Sequence, residues 1–448
     1  MTTRSRRRQA AVLLCATAMT TGLLGATTAT AASSATAASS GAVPAATGPV
    51  PLAGTAGKLR LASAADAAVP DGWIVVLKES GPASARTSAA VPGVARELVG
   101  AAPGARLGHV YRSALHGFSA RMSRDRAQRV AADPRVAYVR QDTRVRVDTP
   151  RRGGPPAGSA SLAPGDQTQA GAPWGLDRID QRRLPLSTTY TYRTTAPAVS
   201  VYVIDTGLRT THSEFGGRAS VGTDTVGDGQ NGNDCNGHGT HVGGIAVGKT
   251  YGVAKQARLV AVRVLDCQGA GTVSGVVAGV DWVTAKAAGP AVANMSLGGA
   301  ASEVLDTAVR RSIRSGVTYT VSAGSSGQAN GACTTSPARV AETIGVGASD
   351  RSDRRASSSN YGNCVALFAP GVQIPSAWKD GDTATATLSG TSMATGHVAG
   401  AAALHLAFRP TDTPAQVKRG LFDNATTGAL QGTPPVAPDR LLYTLYLP

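Results

Sequence analysis

The sequence predicts an α/β protein in two folded modules: a small ferredoxin-like α+β sandwich, then a larger domain on a mainly parallel sheet with helices on both faces. Three observations carry this. From Trp174 onward, short apolar β runs alternate with Ala-rich helical segments, the pattern of a parallel sheet with helical crossovers. Between two Ala/Ser/Thr/Pro/Gly tracts lies a shorter stretch in the order β-α-β-β-α-β. The 448 residues are 42% hydrophobic and only 16% charged, enough apolar material for more than one core.

Taken in order, residues 4–8 read R-S-R-R-R, a mostly apolar run follows from Ala10 to Ala26, and Ala29-Thr30-Ala31 offers an A-x-A site. This predicts a signal peptide over 1–31 and a secreted, extracellular product. Thr and Gly interrupt the run, which falls short of the roughly 20 strongly apolar residues of a membrane anchor. Residues 32–70 and 148–166, the latter containing R-R-G-G-P-P, read as linkers. Module 71–147 has a strand at 73–77, a helix within 83–100, paired strands in 109–122, a helix at 123–132 and a strand at 136–139. So small a module is marginal alone and should lean on a partner. In the large domain, 167–448, strands are expected at 199–205, 258–265, 292–296, 317–322 and 343–347, and helices at 272–288, 302–315 and 391–407. Ligands in such folds sit at the carboxyl ends of the strands, where the unusual polar motifs fall.

The net charge of +16 does not describe a nucleic-acid footprint. Residues 1–166 hold 21 Lys and Arg against 9 Asp and Glu, whereas residues 167–448 hold 23 against 19. The basicity thus belongs to the front of the chain, and with 4% aromatic residues no base-stacking platform is expected. A monomer is the expected state. Once Cys15 leaves with the signal, Cys235, Cys267, Cys333 and Cys364 remain, an even number that predicts two disulfides. Three pairings are open; the sequential one closes two similar loops, each worth about 3–4 kcal/mol by loop entropy.

Three motifs carry chemistry. Asp205 closes the apolar strand V-I-D-T-G, His238 lies in N-G-H-G-T-H-V-G-G, and Ser392 lies in S-G-T-S-M-A-T-G-H-V-A-G at the start of a small-residue helix. Each has a plainer reading alone. Asp205 could cap a turn, Ser392 could cap a helix or hold a phosphate, and Cys235, His238 and His241 could hold zinc, although a fourth ligand is missing and a disulfide would compete. Together, in the order Asp–His–Ser, they match a serine nucleophile activated by an oriented imidazole. The backbone N–H of Ser392 at the helix start can then donate to the developing oxyanion.

With A-P-W-G-L-D-R-I-D-Q, N-D-C-N-G-H-G-T-H, V-R-V-L-D-C, A-N-M-S-L-G-G, S-P-A-R-V-A-E and S-N-Y-G-N-C, the chain from Pro173 to Tyr446 resembles the subtilisin-like serine proteases of the proteinase K group, most of all the aqualysin type. Residues 71–147, with A-L-H-G-F-S-A and D-P-R-V-A-Y-V-R-Q-D, resemble the family's inhibitory pro-segment. The resemblance implies a subtilisin-like sheet and a self-processing prepro-enzyme whose pro-segment inhibits intramolecularly until it is cut away near Gln167. It implies a triad of Asp205, His238 and Ser392 acting through an acyl-enzyme, and disulfides Cys235–Cys267 and Cys333–Cys364. It implies protein and peptide substrates, bound as an added strand between Gly269-Ala270-Gly271 and Ser296-Leu297-Gly298. No cofactor is implied for catalysis. A structural calcium is implied at Asp177, Asp180, Gln181 and Ser187, the alternative being a solvated acidic helix start. Three departures stand out. Ser325 replaces the usual oxyanion Asn and is assigned that role here, Gly396 replaces a Pro, and Ala366 replaces an Asp that related chains use for another calcium. Ser325 and Gly396 support an alternative, a poorly active peptide-binding or self-processed relative.

Overall fold

Strand Ser200–Asp205 lies third in a seven-stranded sheet of the computed structural model, which describes residues 57–63, 66–79, 88–148, 150–152, 162–163, 167–434 and 437–446. The expected signal peptide and most of both expected linkers lie outside the described residues. The strand order is Ala219–Asp224, Arg258–Arg263, Ser200–Asp205, Ala291–Met295, Thr318–Ser322, Ile344–Ser349 and Leu367–Pro370, and every pairing is parallel. Alternation along S-V-Y-V-I-D decides the two faces. Val201 and Val203 join the core under helices His238–Val247 and Thr391–Phe408, while Tyr202 and Ile204 join the core under Val273–Lys286 and Glu303–Arg314. Two of these helices begin where the side chains of Thr272 and Ser302 accept from Gly275 N and Leu305 N, satisfying orphan donors of the first turn.

In the front module, antiparallel strands run Val136–Val147, Ala68–Leu77, Gly117–Arg121 and Arg106–Tyr111, with helices Val91–Gly100 and Arg124–Ala132 closing a core around Trp73, Val75, Phe118 and Val139. This is the expected ferredoxin-like order. One element differs. The last strand, expected to end at residue 139, continues to Val147. Arg140, Gln141 and Thr143 of the extension still pair with Ala68–Leu77, but its end is held outside the module's own sheet: Arg144, Val145 and Arg146 pair with strand Ala270–Thr272 on one side, and Arg146 and Val147 with strand Leu297–Ala300 on the other. Partners more than a hundred residues away leave no local signal for it.

Disulfides join Cys235 to Cys267 and Cys333 to Cys364. The first removes the thiolate that the zinc alternative at Cys235 needed. Among the described residues, no helix is long and apolar enough to cross a membrane.

Candidate active site

Asp205 ends its strand at the carboxyl edge of the sheet, and His238 opens the helix directly above it. Two glycines allow this approach. Gly237 has a φ of +106°, a region disfavoured for other residues, and a Cβ on Gly239 would lie 2.2 Å from Gly207 O. His238 Nδ1–H donates to Asp205 Oδ1 at 2.8 Å and Oδ2 at 3.0 Å, and both residues are buried. The loop before His238 is fixed by buried Asp234, which accepts from Thr206 Oγ1, Asn236 N, Gly237 N and both Thr240 N and Oγ1. Sequence reasoning passed over Asp234; its spacing to Asn236 and Thr240 is the Asx-turn signal that could have found it.

Electrostatics separate His238 from its neighbours. Burial pulls the imidazole down, but the charge and hydrogen bond of Asp205, with Asp234 and Asp148, outweigh it and leave the ring easier to protonate than usual. Burial without such partners pushes His241 down to about 3 and His397 down to about 4. Only His238 pairs its ring with a carboxylate at this edge.

Ser392 is buried in the first turn of helix Thr391–Phe408, where its Oγ donates to Ser296 O at 3.5 Å and its carbonyl accepts from Ser296 Oγ at 3.2 Å. His238 Nε2, the nitrogen facing away from Asp205, is buried and has no hydrogen-bond partner. Ser325 Oγ accepts from Thr391 N at 3.2 Å and lies 3.0 Å from Thr391 Oγ1, so this hydroxyl is engaged with the residue before Ser392. Helix 391–408 runs unbroken through Gly396, whose missing side chain lets it lie against Ile245 and Val242 O; a Cβ there would meet them at 3.1 and 3.2 Å.

Five of the six expected substrate-binding positions flank the chain's own strand. Ala270 and Gly271 pair with Arg146 and Val145, Leu297 and Gly298 pair with Val147 and Arg146, Val147 N donates to Gly269 O at 2.9 Å, and Ser296 lies beside Ser392. Asp148 follows. It lines a cavity of about 340 Å³ with Gly298, Ser322, Gly324, Ser325 and Ala338, and its Oδ2 accepts from Thr391 Oγ1 at 3.1 Å. Enclosure pushes its carboxyl up. Beyond it, Pro150 approaches Gly390, and Arg151 pairs with Ser389. Asp148 was read only as the first residue of a linker.

At the other expected site, Asp177 accepts from Ser187 N and Oγ and from Thr188 N, and Gln181 Oε1 accepts from Ser187 N. Asp180 Oδ2 accepts from Thr191 N, while its Oδ1 is buried without a partner. Ala366 packs against the core and offers no ligand.

Residues 196–436 match the profile of the Subtilase family, and residues 73–148 match that of peptidase inhibitor I9. The chain is 46% identical over 407 residues to an extracellular serine proteinase of Thermus sp. (strain Rt41A), covering 88% of this chain and 94% of that one. It is 47% identical over 336 residues to alkaline serine exoprotease A of Vibrio alginolyticus, covering 75% and 60%. Among solved structures, a cold adapted subtilisin-like serine proteinase aligns with a TM-score of 0.60 and 51% identity, over 62% of this chain and 99% of that one. With its catalytic-domain profile, its I9 module and a Thermus relative matched over 94% of its length, the chain belongs to the subtilase family of serine-type endopeptidases.

Proposed function

We propose that this protein is a secreted endopeptidase made as a self-processing precursor, in which Asp205, His238 and Ser392 form the triad and the chain's own residues 144–148 are the first substrate. The observation that carries this is the seating of strand Val136–Val147 between Ala270–Thr272 and Leu297–Ala300, with Asp148 following beside the Ser392 helix. The Thermus relative, named as extracellular, and the basic, apolar N-terminus support secretion.

Each group has a task. Ser392 Oγ attacks the carbonyl carbon while its proton passes to His238 Nε2, the nitrogen left free by the Asp205 hydrogen bond. Asp205 holds the tautomer and stabilises the cationic ring. Backbone N–H of Ser392 donates to the oxyanion. Collapse breaks the C–N bond, the amine leaves with the proton from His238, and water, deprotonated by His238, hydrolyses the acyl-enzyme and restores the Ser392 hydroxyl.

Sequence reading put the cut near Gln167. Gln167 is instead built into strand Gln167–Ala170, paired with Thr189–Tyr192 in another sheet, so the geometry favours a first cut after Asp148, with later trimming to reach a start near Gln167. The oxygen-only set Asp177, Asp180, Gln181 and Ser187, with one orphaned carboxylate oxygen, suits a hard cation and would hold a structural calcium. No catalytic step passes through it. Ser392→Ala tests the reading: the precursor should remain uncut and the protein should not hydrolyse casein, whereas full activity in that variant would refute the triad. A serine-directed phosphonylating reagent should label Ser392.

A further inference from the structure

We propose that Trp378, Asp380 and the edge of strand Thr385–Ser389 form a subsite on the departing side of the cut, which takes a cationic side chain four residues beyond the scissile bond. This rests on the reading that the chain is cut after Asp148. Arg151 and Arg152, the third and fourth residues past that bond, pair antiparallel with Ser389 and Leu388. Ser389 lies three positions before Ser392, so this edge leads directly from the helix start that carries the nucleophile. Main-chain pairing sets the register, and the side chain of Arg152 then reaches a defined place: its guanidinium carbon lies 5.3 Å from the Trp378 ring centroid, within cation–π range.

The platform is fixed. Trp378 is buried, stands edge-on to His241 at 6.2 Å and 79°, and fills the space that a side chain on Gly237 would need, 2.6 Å from a Cβ there. Its Nε1–H donates to Asp380 Oδ2 at 3.0 Å, which holds a carboxylate at the edge of the ring. Lys379 also pairs with Asp380, while the cation that lies over the ring is the Arg152 guanidinium. The ligand class is a peptide carrying Arg at this position. Because the site is open to water, the preference should be modest, about threefold to tenfold in kcat/KM.

The test uses the mature enzyme and peptides of sequence R-V-R-V-D-T-P-R-R-G-G, identical except for Arg, Ala or Glu at the position of Arg152. Product masses identify the bond cut, and kcat/KM is measured for each. We expect cutting after Asp, an Arg-to-Ala ratio of about three to ten, a further loss with Glu, and a ratio near one in Trp378→Leu. Asp380→Asn, at an exposed position, should lower the ratio and carries the test if Trp378→Leu does not fold. A ratio of one in the wild type with cutting after Asp would overturn the subsite and leave the triad reading intact. Cutting at another bond would overturn the register and with it the position assigned here, and no cutting at all would overturn the triad reading.

Discussion

At the scale of one side chain, Ser325 stands where the resemblance to the family implies an oxyanion Asn. Its hydroxyl is held by Thr391 N and Oγ1, one residue short of Ser392, and is too short to reach beyond. Ser325→Asn should therefore add an oxyanion donor and raise kcat with KM nearly unchanged, since such a donor acts in the transition state. Loss of one such donor costs about 10²–10³-fold, or about 2.7–4 kcal/mol, which bounds the gain. Steady-state kinetics with active-site titration measure it; a kcat ratio of one would show that position 325 is not the missing donor. His238 gives a second expectation. Its pKa is raised, and catalysis needs the neutral ring, so activity is present above that pKa and is lost as pH falls through it. Asp148 is one of the groups that raise it, so the acid limb of the mature enzyme should lie below that of self-cutting in the precursor. Coincident limbs would contradict this. Asp205, His238 and Ser392 were legible because each sits in a short motif whose glycines and small residues have local causes. Asp148 and Arg152 were not, because what defines them is backbone pairing with segments far along the chain.

At the scale of elements, the front module docks on one helix from both ends. Asp142 accepts from Ser274 N at 3.0 Å and from Ser274 Oγ, taking a free donor at the start of helix Val273–Lys286, while Asp281 near its end accepts from Arg112 N, Ser113 N and Ala114 N. The module was expected to need a partner on size alone, and these contacts are how that need is met. Asp142→Ala should weaken inhibition of the mature enzyme by the module about fivefold to tenfold, the worth of a helix-start acceptor, read as a change in inhibition constant. Burial raises the carboxyls of Asp142 and Asp148 in the docked state. A raised pKa means that docking takes up protons. Their contribution to docking is therefore fully present below the free carboxylate range and is lost as pH rises through the docked pKa values. Inhibition that strengthens steadily with rising pH would contradict that sign.

Across the whole molecule, the five inner strands of the parallel sheet, the three long helices and the sandwich before them could be read from apolar periodicity, whereas the two outermost strands, Ala219–Asp224 and Leu367–Pro370, were not among those expected. What periodicity could not supply was how the modules meet, since residues 140–147, the stretch that joins them, lie inside the expected module but read as no element of their own. Calcium at Asp177 and Asp180 would act on this scale too. A chelator should lower the melting temperature while leaving kcat of the still-folded enzyme unchanged, because a ligand bound only to the native state acts by mass action; immediate loss of turnover in folded protein would refute a purely structural role. The most direct measurement is N-terminal mass spectrometry of refolded precursor over time, beside Ser392→Ala. The first new N-terminus should be Thr149, appearing in the wild type and absent from the variant. A first cut near Gln167 or elsewhere, or equal cutting in Ser392→Ala, would contradict the account.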